Sequence, residues 1–313
     1  MDSGENLNTK KRYFLKNINR FFSVSPTVFF ILSVFTYTLS LQAKSLLYEV
    51  RSPTATVYVM GSIHLAKPEL YPLDKMINKA YAQSDVLVLE LDPSSDQSVR
   101  EMKKAMEGLG RYPSGHTIQT ELSSRTYNRL QRYLDKVKIP LQEVEVLRPW
   151  VIVLHLSMVE MTRLGYSPEL GLDQHFLGLA KADKKSIIEL ETAKEQMALL
   201  SKEDKTFQDK LLFYTLESMH EIEPMLNEMF HYWKIGDAKA FDKIMSLPLN
   251  DDPSLADIYD DIIIKRNYTM AQKIEGFLQT KKTYFVVVGA GHVVGEEGIV
   301  SLLKKSGYKL KQH

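Results

Sequence analysis

At 313 residues, 44% of them hydrophobic and 25% charged, the chain has the composition of a globular protein and can bury a large core. The net charge is +1, and residues 1–43 contribute +3 to it, so the rest of the chain carries −2 and lacks the basic surface that nucleic-acid binding needs. The absence of cysteine excludes a disulfide framework and a lipidated cysteine anchor.

The first 44 residues have the pattern of a targeting segment. A basic region precedes residues 21–41, which are mostly apolar, and the densest part, residues 28–41, has the length of a signal-peptide core. Ala43 offers a small residue for cleavage, and the whole apolar stretch is long enough to span a bilayer if it is retained. We therefore expect residues 1–44 to be a signal peptide or an N-terminal membrane anchor. The body, residues 45–313, is then periplasmic, secreted or anchored to the membrane.

The body begins with two predicted strands and a histidine. Residues 46–51 and 55–60 predict a strand pair, and the second strand leads into Gly61-Ser62-Ile63-His64. Residues 85–93 predict a third apolar strand, which carries Glu90 at its C-terminal end, where a carboxylate has no role in a core. We interpret Glu90 as a metal ligand or a general base beside His64, with an exposed residue at a strand exit as the alternative.

A second acidic strand end follows a mainly helical region. Asp173 is expected to cap the N-terminus of a helix. Residues 185–190 predict a fourth strand that ends at Glu191, and Thr192-Ala193-Lys194-Glu195 has the pattern of a capping box, which predicts a helix start. Glu191 therefore lies at a junction between a strand and a helix.

Helices are predicted between the fourth strand and the last one. From residue 195 to about residue 280 no stretch has a strand pattern, whereas apolar residues such as Phe207, Leu211 and Trp233 recur at helical spacing. This region predicts a helical subdomain inserted before the last strand. Its methionines are interpreted as adaptable core filler, with a lid that accommodates a peptide as the alternative.

The C-terminal unit repeats the order of strand, glycine and histidine. Residues 283–288 are β-branched and aromatic without polar alternation, which is typical of a strand buried on both faces, and they lead into Gly289-Ala290-Gly291-His292. A helix is predicted over residues 295–305, with acid in its first turn and base in its last, and residues 308–311 predict an edge strand. Because ligands bind beyond the carboxyl ends of the strands in open α/β sheets, the two histidine turns are expected to converge on one site.

The predicted strand ends collect imidazoles and carboxylates instead of a familiar catalytic motif. The sequence has no cysteine nucleophile, no G-x-S-x-G elbow, no P-loop and no H-E-x-x-H pair. Two imidazoles with a carboxylate, here His64, His292 and Glu90, are typical of an open site for Zn²⁺, Mn²⁺ or Co²⁺. Such a cation makes bound water acidic, a second carboxylate such as Glu191 can accept the proton, and an arginine can stabilise the oxyanion.

The succession of these motifs resembles the TraB/GumN family. The resemblance runs from about residue 45 to residue 310 and includes the two G-x-x-H motifs, the strand with Glu90, Glu189-Leu190-Glu191-Thr192 and Arg266-Asn267. The family includes pheromone-shutdown proteins, a gum-cluster protein and relatives of the animal Tiki metalloproteases, within a wider group that contains erythromycin esterase and ChaN-like proteins. The resemblance implies a fold of two related halves and an active site at His64, His292, Glu90 and Arg266. For the Tiki-like branch it also implies peptidase activity that depends on a divalent metal.

The sequence thus predicts an exported, divalent-metal-dependent hydrolase that is peptidase-like and acts on a peptide or protein. Its fold is predicted to be α/β, with two related βα halves that form a central sheet flanked by helices, and with the helical insertion at about residues 195–280. His64, His292 and Glu90 are the predicted ligands of Zn, Mn or Co, and Glu90, Glu191 and Arg266 are the predicted catalytic residues. The alternatives are a peptide-signal-binding protein without catalysis and a haem-binding, ChaN-like protein.

Overall fold

A six-stranded sheet organises the part of the chain that the computed structural model describes, which is residues 45–202, 204–247, 249 and 253–313. The predicted targeting segment, residues 1–44, lies outside the described residues. The strand order is β4-β3-β5-β2-β1-β6, and the strands are β1 (Leu47–Arg51), β2 (Thr56–Ser62), β3 (Val86–Leu89), β4 (Ser186–Glu189), β5 (Thr283–Gly289) and β6 (Leu310–Gln312). The neighbours β4, β3, β5 and β2 run parallel, whereas β1 is antiparallel to both β2 and β6.

Helices surround this sheet, so the predicted α/β class is confirmed. In chain order they are α1 (Lys75–Ala82), α2 (Asp96–Leu109), α3 (Ile118–Glu121), α4 (Ser124–Val137), α5 (Pro149–Arg163), α6 (Leu172–Ala182), α7 (Ala193–Leu200), α8 (Lys205–Ser218), α9 (Ile222–Ile235), α10 (Ala238–Met245), α11 (Ala256–Tyr259), α12 (Lys265–Phe277), α13 (Ala290–Val293) and α14 (Ile299–Lys305). The predicted capping box is present at the start of α7, where Thr192 and Glu195 each accept from the other's backbone N–H.

The two strands that carry the G-x-x-H motifs are neighbours at the centre of the sheet. From its second residue onward, β5 is buried, as is β2, because helices cover both faces of this parallel pair and leave no side for polar residues. The register pairs Gly61 with Val288 and Ser62 with Gly289. Both glycine turns therefore leave the sheet at the same edge, side by side.

The chain after β5 differs from the prediction of one helix over residues 295–305. A short helix, α13, begins directly after Gly289 and carries His292, and α14 begins only at Ile299. The extended backbone of Val294 and the positive φ of Gly295, +87°, separate the two helices. The acidic residues at 296 and 297 thus precede α14 and do not lie in its first turn.

One group of buried hydrophobic residues lies away from the sheet, among helices only. It joins Ile118, Leu130 and Ile152, which come before β4 in the sequence, to Leu212 and Leu216 of α8, which come after it. Helices of the region predicted as an insertion therefore share a core with earlier helices. Among the described residues from 195 to 280 there is no β-strand. In the same described part of the chain, no helix combines the length and the apolar character needed to cross a bilayer.

Candidate functional site

The turns after β2, β3 and β5 bring three predicted site residues to one point. A Cβ atom placed on Gly289 would lie 3.1 Å from His64 Nε2, 3.2 Å from Glu90 Oε1 and 3.6 Å from His292 Cδ2. The Nε2 atom of His292 is 3.9 Å from Glu90 Oε2. The small space that these groups enclose exists because residue 289 is glycine, since any other side chain would start inside it.

A carboxylate behind the ring orients His64. Its Nδ1 is 2.8 Å from Asp173 Oδ2, and the other oxygen of Asp173 accepts a hydrogen bond of 2.8 Å from Ser62 Oγ. A carboxylate oxygen can only accept when ionised, so Nδ1 of His64 carries a hydrogen and Nε2 is the nitrogen directed at Glu90 and Gly289.

Asp173 was predicted to cap a helix, and this prediction is wrong. Gly171 occupies the N-cap position of α6, and Asp173 lies in the first turn. Gly171 is needed for a close approach, because a Cβ there would stand 2.1 Å from the carbonyl oxygen of His64. The start of α6 therefore packs against the turn that carries His64, and Leu172 N donates to Ile63 O at 3.0 Å. This contact places the Asp173 carboxylate beside the imidazole of His64.

The side-chain amide of Asn267 orients the ring of His292, as Asp173 orients the ring of His64. The Nδ1 atom of this ring is 2.7 Å from Asn267 Oδ1, while Asn267 Nδ2 donates to the carbonyl oxygen of Glu297 at 2.9 Å. With its nitrogen donating, Asn267 presents its oxygen to the ring, so Nδ1 of His292 carries the hydrogen and Nε2 keeps a lone pair. Histidine ligands of metals usually have an outer hydrogen bond of this kind.

The surroundings give the three groups different pKa values. Burial lowers the pKa of His292 to about 4, so this ring is neutral at pH 7. Desolvation would also lower the pKa of His64, but the hydrogen bond and charge of Asp173 outweigh this and raise it to about 9, so a cation that binds Nε2 has to displace a proton from this ring. Burial alone would raise the pKa of the Glu90 carboxyl. The imidazoles beside it, the Arg266 guanidinium and the Gly289 amide instead hold this pKa below its usual range. Glu90 is therefore a carboxylate at neutral pH.

Arg266 connects the two predicted catalytic carboxylates. Its Nη2 donates to Glu90 Oε2 at 2.7 Å and to Glu191 Oε2 at 2.6 Å, and its Nε donates to Glu191 Oε1 at 2.9 Å. Its Nη1 donates to the carbonyl of Ile262 at 2.9 Å, in a π-helical turn over Asp260–Ile264 that directly precedes α12. The guanidinium was predicted to stabilise developing negative charge on a substrate. In this structure its bonds hold Glu90 and Glu191, and its role towards a substrate stays a prediction.

Glu191 lies on the far side of this arginine. Its carboxylate is 8% exposed and also accepts a hydrogen bond of 3.0 Å from Gln196 Nε2. The sequence predicted Glu191 as a proton acceptor. In this structure it contacts Arg266 and Gln196. It is not among the described residues that line the two cavities beside the site, which are described below.

The donor atoms suit a divalent cation, although their present positions do not form a complete ligand set. Among the residues that the structure describes, no group of three or more His, Asp or Glu side chains has the geometry to hold a metal ion. Nevertheless, His64 Nε2, the ring of His292 and the ionised Glu90 lie around a space that a Cβ would fill, His292 Nε2 is 3.9 Å from Glu90 Oε2, and both rings have the outer hydrogen bonds typical of metal ligands. Residues of the right chemistry are thus together, with looser spacing than bonds to a metal require.

Two cavities open beside this centre, and both have His64, Glu90 and Arg266 in their walls. We call the first the methionine chamber. It has a volume of about 430 Å³ and is walled by Met161, Leu226, Met229, Phe230 and Met245, and His292 is also in its wall. We call the second the glutamine chamber. It has a volume of about 420 Å³ and is walled by Pro93, Pro168, Gln174, Gln196 and Leu199.

The family resemblance can be tested against known proteins. A family model described as the TraB/PrgY/gumN family matches residues 46–312, which include every strand and each predicted site residue. The chain belongs to the TraB/PrgY/gumN family. The resemblance predicted from the sequence motifs is therefore confirmed.

Relatives of this TraB/PrgY/gumN chain include bacterial and animal proteins. An uncharacterized protein of Escherichia coli strain K12, YbaP, is 27% identical over 248 residues, which cover 79% of this chain and 87% of YbaP. A protein of Nematostella vectensis named metalloprotease TIKI homolog is 24% identical over 316 residues, covering 83% of this chain and 65% of the relative. Metalloprotease TIKI2 of Xenopus tropicalis is also 24% identical, and the match covers 58% of its length. The chain thus spans less than two thirds of either TIKI protein. No solved structure gives a significant match.

Proposed function

We propose that this TraB/PrgY/gumN protein is a divalent-metal-dependent hydrolase that acts on peptide bonds. The observation that carries the proposal is the pair of histidines from two distant turns, whose Nε2 atoms face Glu90 around Gly289 while Asp173 and Asn267 hold the opposite ring nitrogens. Two relatives are named as TIKI metalloproteases, and these names support the same class of reaction.

In this proposal His64, His292 and Glu90 hold the cation. When bound, a divalent cation supplies Lewis acidity, which polarises a carbonyl group and makes water more acidic. Glu90 contributes negative charge, because its lowered pKa keeps it ionised and makes it a poor general base at neutral pH. This favours the ligand role over the base role, the two alternatives that the sequence left open.

Other residues of the chain would orient these ligands. Asp173 and Asn267 fix the rotation of the two rings. Arg266 donates to one oxygen of the Glu90 carboxylate, Oε2, and Gly289 N donates to the other, Oε1, at 2.5 Å. A site whose ligands are held in this way loses little freedom when a cation binds. Glu191 would act through Arg266, by balancing its charge.

Metal content and peptide cleavage test the proposal together. The purified protein is loaded separately with Mn²⁺, Co²⁺ or Zn²⁺, its metal content is measured by mass spectrometry, and it is incubated with a peptide library. We expect one bound ion per chain and cleavage products, and loss of both in His64→Ala and in His292→Ala with the fold retained. The matched control is His155→Ala, since His155 is exposed on α5.

Two results would contradict the proposal. Full metal content in the double histidine variant would remove the ligand assignment. Peptides that are retained by the metal-loaded protein without any product would remove the hydrolase and favour the peptide-binding protein.

A further inference from the structure

The proposed reaction centre lies between two chambers and not at the bottom of one closed pocket. His64, Glu90 and Arg266 form part of the wall of both the methionine chamber and the glutamine chamber. Leu200 and Ile262 also belong to both walls, so the two spaces adjoin along a shared line of residues. A ligand that reaches the histidines can therefore extend away from them in two directions.

The methionine chamber has an adaptable apolar wall. Met161 of α5, Met229 of α9 and Met245 of α10 line it, and all three side chains are half-buried. Unbranched thioether side chains adjust to apolar groups of different shape. For the methionines of the region predicted as an insertion, which include Met229 and Met245 but not Met161, the sequence left open whether they are core filler or part of a lid that accommodates a peptide. They line a cavity that reaches His64 and His292, which favours the second interpretation.

The wall is also tied to the reaction centre. Trp233 of α9 is buried, and its Nε1 donates a hydrogen bond of 2.6 Å to the carbonyl of Gly61, the first residue of the motif that ends in His64. Met229 lies one helical turn before Trp233 on the same helix. The position of the apolar wall relative to the His64 turn is therefore set by a direct contact.

The charges around the two chambers do not favour a free peptide end. Within the described part of the chain, the charged and imidazole side chains that line them are those of the site itself, His64, Glu90, Asp173, Arg266 and His292. Arg266 and Asp173 both have partners inside the protein. A terminal ammonium group would thus enter without a dedicated anionic partner, and a terminal carboxylate would find only the proposed cation at the centre itself, each at the cost of its own hydration.

We infer that the site takes an internal segment of an extended peptide, which crosses the histidines from one chamber to the other and places an apolar side chain such as Leu, Met or Phe in the methionine chamber. The inference rests on the proposed function for the step of hydrolysis, but the apolar preference is a property of binding. Burying one such side chain in place of a polar one corresponds to about 10- to 100-fold in Kd.

Peptide binding tests this inference without requiring turnover. Octapeptides of Gly and Ser, labelled with fluorescein and blocked at both ends, carry either Leu or Asp at the fourth position. Their binding to the full-length protein is measured by fluorescence polarisation, without metal and with Zn²⁺. We expect the Leu peptide to bind about 10-fold or more tightly than the Asp peptide. Unblocking either end should leave the Kd of the Leu peptide within about twofold.

Two methionines of α5 provide a matched pair of variants. Met161 lines the methionine chamber, whereas Met158 is 43% exposed and is absent from the lining. M161E should weaken binding of the Leu peptide about 10-fold or more, and M158E should leave it unchanged. If M161E fails to fold, as judged by circular dichroism, M161A decides, because the larger chamber should shift the ratio of Phe to Leu affinity about threefold or more.

Each outcome has a definite meaning. Equal affinity for the Leu and Asp peptides, a requirement for a free end, or an unchanged affinity ratio in M161A would overturn the inference even if peptides are cleaved. Selective binding of apolar peptides without cleavage would keep the inference and remove the hydrolase. The failure of one is therefore distinguishable from the failure of the other.

Discussion

Gly289→Ala tests whether the space between the predicted ligands is the place where the cation binds. The backbone of Gly289 has φ −50° and ψ +137°, a conformation that alanine adopts, so the change adds a methyl group without backbone strain. The methyl carbon would stand 3.1 Å from His64 Nε2 and 3.2 Å from Glu90 Oε1, which is closer than ordinary contact and inside the space proposed for the cation.

The expected cost to folding is modest, and the expected cost to function is large. Overpacking of this kind costs about 1–3 kcal/mol, so Gly289→Ala should remain folded in urea titrations. Displacing ligands by a fraction of an ångström should reduce peptide hydrolysis about 100-fold and lower metal affinity at least as much. Calorimetric titration with Zn²⁺ and hydrolysis assays at saturating metal measure the two effects.

A helical glycine with open space around it provides the control. Apart from its chain neighbours and the backbone of its own helix, no heavy atom of the described residues lies within 4 Å of a Cβ placed on Gly178 of α6. Gly178→Ala should therefore stabilise the protein slightly, by about 0.5–1 kcal/mol, and leave metal affinity unchanged. If Gly289→Ala keeps wild-type metal affinity and activity, the space around Gly289 is not where the cation binds, and the reasoning from its neighbours fails.

Two further predictions concern the contacts around this space, and a third concerns the predicted targeting segment. Asp173→Asn keeps the shape of the side chain but removes the negative charge beside Nδ1 of His64, so metal affinity measured by calorimetry should fall about 10- to 100-fold. An unchanged affinity would mean that Asp173 does not orient His64 for metal binding. Arg266→Met leaves two buried carboxylates without their shared cation, so urea unfolding should show a loss of about 3–5 kcal/mol; a variant as stable as the wild type would mean that the carboxylates do not depend on the arginine. We propose that residues 1–44 direct export, so fractionation of the expressing cells should recover the protein outside the cytoplasm. N-terminal sequencing of that fraction distinguishes a cleaved signal peptide from a retained anchor. An intact chain in the cytoplasm would rule out both.

Several elements were predictable because their local pattern agrees with their final surroundings. The apolar run that became β5 is buried on both faces, and the capping box at Thr192 starts α7 as expected. The start of the helix after β5 was less predictable, because the charges suggest a helix from Gly295 onward, whereas Gly295 has a positive φ and the helix begins only at Ile299. Charge pattern indicates where a helix is favourable but not where the backbone turns out of it.

The residues behind the histidines illustrate a different limit. Asp173 has a local explanation as a helix cap, and its actual partner, His64, is 109 residues away in the sequence. The pairing depends on the absence of a side chain at Gly171, which allows α6 to approach the histidine turn. Asn267 adjoins Arg266 on α12, but nothing in its neighbourhood along the chain indicates contact with His292. Long-range docking of helices produces both contacts, and periodicity does not encode it.

The position of a bound cation tests the central claim most directly. Crystals of the protein soaked in Zn²⁺ or Mn²⁺ and measured at the absorption edge of the metal would give an anomalous difference peak at the ion. The account predicts one strong peak beside Gly289, within about 2.0–2.3 Å of both His64 Nε2 and His292 Nε2 and in contact with Glu90. A peak that touches only one of the two imidazoles, or no peak there at saturating metal, would contradict it.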